Sequence, residues 1–222
     1  MRAAEKRKAE QEGLKASRKA AILDSTYELF SNGIDKITMN EIADHAEIGV
    51  ASLYRYFSTK DDLAIECATN AWEKLIKKFA DKYTSQEFNN LNGFEQLKSL
   101  MQIFPQLFQS DNQFFRFIYY FDAYVNKQNV APSRLTAYEA VIIKPYKIFM
   151  AALKKGREDK SINTFDTSDE NIYFSISHGL FSLAQKLSLS GEMLYMNLNT
   201  PALEQINLLI KIILNALKNT SC

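Results

Sequence analysis

The sequence is poor in most of what crosslinks, turns or embeds a chain. Its two cysteines, Cys67 and Cys222, lie far apart in 222 residues, which argues against a disulfide framework and for a reducing compartment. Seven glycines and four prolines leave few breaks, and alternating β-branched runs are scarce, so a sheet has little to be built from. No apolar run approaches the ~20 residues of a membrane span. The opening stretch "MRAAEKRKAEQEGLKASRKA" has no apolar segment of the signal-peptide kind. A cytoplasmic protein without membrane contact is expected. With two histidines and no clustered cysteines or carboxylates, no metal site is assigned. A Walker loop, G-x-G-x-x-G, H-E-x-x-H and G-x-S-x-G are all missing, so no catalytic residue and no cofactor is assigned, and an enzyme is not expected. The formal net charge of +1 neither demands nor forbids an anionic partner.

What is present is helical periodicity almost everywhere, and the expected fold class is all-α with about nine helices. From Arg18 to Asn32, Ile22, Leu23, Thr26, Leu29 and Phe30 mark one face of a first helix, and Asn32-Gly33 supplies its stop. In "ITMNEIADHA", Thr38 and Glu41 form a capping box, with Ile37 and Ile42 as a hydrophobic staple. A tight connection at 46–49 leads into a third short helix in "IGVASLYRYFSTK". Thr59 and Asp62 repeat the cap signature. Longer helices are expected near 61–83, 93–109, 111–127, 132–156, 168–190 and 201–219, with Pro105 and Pro145 kinking or splitting two of them. "LKKGREDKSINTFDTSD" and "LSGEMLYMNLNTP" read as the main connections. The expected domains are 1–63, a basic tail plus helix-turn-helix, and 64–222, for ligand binding and dimerisation.

Two short helices joined by a tight turn describe a helix-turn-helix. In its second helix Leu53 and Phe57 are four apart and must face the bundle, which turns Ala51, Ser52, Tyr54 and Arg55 outward. Arg55 has the fork to donate twice to a guanine edge. Tyr54, Lys60 and the Thr38 hydroxyl suit phosphate oxygens. Similar three-helix units also occur in proteins that never meet DNA, so a helical protein-interaction module with a vestigial helix-turn-helix is the alternative. Charge encourages that alternative: between Ala21 and Leu63 three cations face eight acids, a balance of −5, whereas residues 1–20 carry +4. Either the tail supplies attraction for DNA or it is a solvated end.

The run Ile22–Leu63 resembles the N-terminal domain of the TetR family of transcriptional regulators. The resemblance rests on "IL" (22–23), "ELF" (28–30), "NG" (32–33), "ITMNEIADHA" (37–46), "LYRYF" (53–57) and "TKDDL" (59–63). It implies phosphate contacts at Thr38, Tyr54 and Lys60, and base-edge positions at Asn40, Val50, Ala51, Ser52, Arg55 and Tyr56. It further implies a double-stranded operator with two half-sites, a small-molecule effector, and repression relieved by that effector. Two departures stand out. Glu47 occupies the turn position where the family has glycine, and Gly49 and Val50 replace polar or basic residues. Val50, three residues before Leu53, fits either burial or a thymine methyl.

In the C-terminal half, Leu203, Ile206, Ile210, Ile213 and Leu217 form one stripe, with Leu208, Leu209, Ile212 and Ala216 outside it. This is more apolar surface than one stripe needs. Helix 168–190 has a similar surplus, so a homodimer through 168–190 and 201–219 is expected, as the resemblance also implies. The segment 104–124 is dense in aromatics. Phe104, Phe108, Tyr119, Tyr120, Asp122, Tyr124 and His178 are the candidate lining of a largely apolar ligand pocket, although aromatic stripes are also ordinary core.

Overall fold

The computed structural model describes residues 2–163, 165–190 and 200–219. Among these the backbone is all-α, as periodicity requires. Its elements are α1 (Arg2–Phe30), α2 (Met39–His45), α3 (Val50–Tyr56), α4 (Lys60–Thr84), α5 (Gln86–Asn90), α6 (Gly93–Met101), α7 (Ile103–Asp111) and α8 (Gln113–Lys127). A 3-10 turn at Pro132–Leu135 follows, then α9 (Thr136–Glu158), α10 (Asp169–Ser190) and α11 (Ala202–Leu217). None of the helices is long and apolar enough to cross a membrane among the described residues. The expected connection "LSGEMLYMNLNTP" has its residues 191–199 outside the described ones, and so does Cys222.

Local chemistry accounts for the differences from expectation. The expected helix 93–109 breaks at Gln102, because Pro105 has no N–H for the Met101 carbonyl and instead sits in the first turn of a new helix. Pro145 stays inside α9 without ending it, leaving the Val141 carbonyl without its helical donor. A short helix not expected, α5, is opened by the Ser85 hydroxyl, which accepts from the Phe88 N–H at 3.1 Å. Before Ile22 no periodicity marks a helix, yet α1 begins at Arg2, and residues 5–18 are exposed on every side.

The chain divides into two compact units, residues 1–71 with 117–138 and residues 72–116 with 139–222. In the first unit, Ile22, Phe30, Ile42, Leu53, Phe57, Leu63, Phe117 and Phe121 are buried, and Tyr27 meets Phe117 edge-on with centroids 5.1 Å apart. In the second unit, Phe115 is fully buried with Phe104, Phe108, Phe114 and Phe181 at centroid distances of 5.6–6.3 Å. There α6 approaches α9 without side chains between them: a Cβ on Gly93 would lie 2.0 Å from the Gly156 nitrogen. Asp159 and Ser161 accept from the N–H groups of Gly93 and Phe94 at 2.8 and 2.9 Å, satisfying the start of α6.

Candidate nucleic-acid interface

The site is built around α2, the turn after it, and α3. The capping box opens α2 as its spacing requires. The Glu41 N–H donates to the Thr38 hydroxyl at 3.2 Å, and the Thr38 N–H donates to the Glu41 carboxylate at 2.7 Å. The Thr38 hydroxyl also donates to that carboxylate at 2.8 Å. These bonds hold the Glu41 carboxyl below its ordinary value, the Thr38 backbone donor contributing most. Helix α2 ends in a Schellman arrangement: the Ile48 N–H bonds the Ala43 carbonyl at 2.9 Å, and the Glu47 N–H bonds the Asp44 carbonyl at 3.1 Å. The residue between the last helical turn and Ile48 must then be left-handed, and Glu47 is, with φ of 53°. Gly49 is ordinary extended backbone, with φ of −68°.

Helix α3 is anchored by Leu53 and by Phe57 just beyond its end, both buried to about the last per cent. That phase leaves Ala51, Tyr54 and Arg55 exposed on one face, spaced three and four apart. Tyr54 is 50% exposed, which is unusual for so large a ring in a domain this small and is what a contact surface needs. The Arg55 guanidinium donates to the Ser52 hydroxyl at 2.9 Å, a local bond that pre-sets its direction. Thr38 and Asn40 are exposed as well. Val50, Ser52 and Tyr56 are half-buried, so the expected base-edge set reduces in exposure to Asn40, Ala51 and Arg55.

Lys60 is placed differently from a plain surface cation. Its ammonium donates to the carbonyls of Asp35 at 3.0 Å and Ile37 at 2.7 Å, and lies 5.2 Å from the centre of the Tyr124 ring. Burial is the largest influence on it and lowers its pKa. Lys60 therefore closes the α1–α2 connection, besides whatever it offers a phosphate.

The sequence reading missed the groups that meet this junction from α8 and the 3-10 turn. Tyr124 donates to Asp61 at 2.6 Å. Arg134 donates to Asp61 at 2.9 Å and to Asp62 at 2.8 Å, and Lys127 pairs with Asp35 at 2.9 Å. The bonds lower both acids, chiefly through Tyr124 at Asp61 and through Thr59 at Asp62, while burial and the Asp61 bond raise the Tyr124 phenol. Asp61 and Asp62 follow the reading helix by only a few residues, so these contacts tie the first turn of α4 to α8 and the 3-10 turn. No local signal announces them, since the partners are 63–92 residues apart.

Residues 22–67 match the family model "Bacterial regulatory proteins, tetR family", and that match covers the whole helix-turn-helix just described. Residues 22–67 are thus a tetR-family DNA-binding domain. It is a DNA-binding transcriptional regulator. No curated protein matches the sequence. Among solved structures, the ketosteroid transcriptional regulator of Mycobacterium tuberculosis superposes with a TM-score of 0.65 at 18% identity, over 91% of this chain and 95% of that one. A transcriptional regulator from Saccharomonospora viridis in complex with choline gives 0.67 at 15% identity, over 92% and 99%. FadR from Bacillus subtilis in complex with stearoyl-CoA gives 0.61 at 15% identity, over 89% and 98%. At such identities the likeness speaks for the fold.

The candidate ligand residues of this regulator fall into separate settings. In the second unit Phe104 and Phe108 belong to the packed aromatic cluster around Phe115, while His178 is exposed on α10 with its ring 5.4 Å from Phe174. In the first unit Tyr119 and Tyr120 pair with each other at 5.4 Å. Tyr124 is committed to Asp61. Asp122 is exposed and has neither a hydrogen bond nor an ion pair with any described residue. Among the described residues no group of three or more His, Cys, Asp or Glu side chains is arranged to hold a metal ion.

Proposed function

We propose that this regulator is a homodimeric repressor that works in the cytoplasm and leaves its operator when a small, largely apolar molecule binds. The observation that carries the DNA half is the exposed trio Ala51, Tyr54 and Arg55 on a helix whose opposite face is fully buried. Thr38 and Lys60 flank it as candidate phosphate contacts, with Asn40, Val50, Ser52 and Tyr56 as further candidate contacts. Dimerisation is supported by apolar surface left open on the last two helices. Leu208 and Ile212 on α11 are 58% and 56% exposed, and Phe174 on α10 is 46% exposed. An apolar groove of about 570 Å3 runs between the two helices, walled by Ile172, Ile176, Ile212, Ile213 and Leu217. A two-fold pairing across this face covers all of it at once and joins two reading helices on two half-sites.

An effector of apolar character is supported by the aromatic density of 104–124 and by the company of a solved regulator that holds stearoyl-CoA. Phe104, Phe108, Tyr119, Tyr120, Tyr124 and His178 are the residues to probe for it. The test is to sequence the genomic fragments the protein selects, measure binding across a salt series, and screen small molecules for release. Sequence-selective binding with a steep salt slope supports the reading. The second reading, a protein-interaction module, is favoured by the −5 balance between residues 21 and 63. Absence of duplex selection at low salt would leave that reading standing.

A further inference from the structure

Within the first unit, a cavity of about 490 Å3 opens where the last turns of α8 meet the 3-10 turn. Its walls are mostly apolar: Phe121, Val125, Leu135 and Tyr138, with Asp122 and Asn126 as polar groups. Phe121, buried to 1% exposure, backs the half-buried Tyr138, with ring centres 5.1 Å apart and planes inclined at 55°, so Tyr138 is the aromatic ring with surface left for a guest. Asp122 is the one charge on the lining. No described cation pairs with it, although Lys127 and Arg134 lie nearby in sequence, because those two are engaged by Asp35, Asp61 and Asp62. Burial pushes the Asp122 carboxyl up to about 6, although the side chain still meets solvent.

An uncompensated carboxylate beside a part-exposed aromatic ring is complementary to one chemical class. A cation gains from the Tyr138 ring and from the charge, whereas a neutral molecule gains only from the walls and an anion is repelled. We infer that this corner cavity binds a small organic cation with an apolar body, and that its occupancy is transmitted to the DNA-reading helix. Transmission follows from shared backbone. Val125 and Asn126 line the cavity, and Tyr124 and Lys127 on either side of them hold Asp61 and Asp35. Leu135 lines it, and its neighbour Arg134 holds Asp61 and Asp62. A guest that shifts the end of α8 or the 3-10 turn cannot leave those four acceptor contacts unchanged. The guest lowers DNA affinity only as far as it prefers the shifted arrangement. This second half rests on the DNA-binding reading; the binding of the cation does not.

The experiment titrates the full-length protein calorimetrically with benzyltrimethylammonium, neutral N-benzylacetamide and anionic phenylacetate. Saturable binding of the ammonium, at least tenfold tighter than the amide, is expected, with no measurable binding of phenylacetate. Asp122→Asn should weaken the ammonium at least tenfold, and Asp122→Lys should abolish it and admit phenylacetate, while both variants bind a selected genomic fragment like the wild type. Equal binding of ammonium and amide, or an Asp122→Asn variant that binds the ammonium undiminished, overturns the site. Saturating ammonium should lower the wild-type affinity for the fragment at least threefold and leave that of Arg134→Gln unaltered. Tight Asp122-dependent binding with no change in fragment affinity overturns the coupling. If the protein selects no fragment at all, the proposed function fails, and the titration still decides the site.

Discussion

Replacing Glu47 with glycine should stabilise this protein, although it removes a whole side chain. The Schellman bonds from Glu47 and Ile48 require a left-handed residue at position 47, and Glu47 adopts φ of 53° to supply it. A residue with a Cβ is disfavoured there by roughly 1–2 kcal/mol, a penalty glycine escapes. Glycine in turn gives back about 0.5–1 kcal/mol through the greater freedom of its unfolded chain. The net gain is then about 0.5–1 kcal/mol, or about 1–4 °C in melting temperature for a chain of this size. Thermal or urea unfolding at fixed protein concentration reads it directly. Glu47→Ala is the decisive control, since it removes the same charge and keeps the Cβ. Alanine should bring no gain in stability. Both variants should bind DNA of any sequence more tightly at low salt, because an exposed carboxylate beside the reading helix has gone, and that gain should fade as salt rises. Stability should therefore follow the Cβ and affinity the charge. If alanine stabilises as much as glycine, or glycine not at all, the left-handed turn is not the source of strain.

Arg55→Ala should relax preference at one base pair and cost about 1–3 kcal/mol in operator binding, read by competition with single-base variants. Lys60→Ala should weaken all sequences alike, and because Lys60 also bonds the Asp35 and Ile37 carbonyls it should lower the melting temperature as well. Deleting residues 1–17 should weaken binding chiefly at low ionic strength and spare the fold, since residues 5–18 are exposed all round and the packing of α1 begins at Ile22. Ile212→Lys should yield a folded monomer in sedimentation with reduced operator affinity, whereas a charge at Ile210, only 2% exposed within its own chain, should unfold it. Gly93→Ala should destabilise by at least ~3 kcal/mol, above the usual range for overpacking, because the new methyl meets Gly156 backbone at 2.0 Å rather than a side chain that can yield.

Much of the fold was legible because its signals are local. The Thr38–Glu41 box and the Thr59–Asp62 pair each complete a hydrogen bond within one turn, and both appear as the spacing requires. The phase of α3 was equally readable, since burying Leu53 and Phe57 leaves one choice for Tyr54 and Arg55. The extent of α1 was not, because a helix exposed on every side writes no apolar period into its sequence. The contacts of Tyr124, Lys127 and Arg134 were hidden for a different reason: their partners lie 63–92 residues away and share no pattern with them.

The last helix separates what sequence can decide from what it cannot. Its surplus of apolar residues is plain from composition, and two stripes compete for the inner face. One holds Ile206, Ile210 and Leu217, the other Leu208 and Ile212. Both have helical spacing and similar residues, so propensity and hydrophobicity give neither an advantage. The choice falls to the neighbours: α11 packs against α6, α7 and α10. Those contacts bury the first stripe to 2% exposure or less and leave the second more than half exposed. A stripe left out by every described neighbour in its own chain, on the helix with the greatest apolar surplus, is the surface the proposed dimer would bury. For that reason the mutation that tests assembly belongs at Leu208 or Ile212, one helical turn apart on the open face, and not on the stripe the monomer already uses.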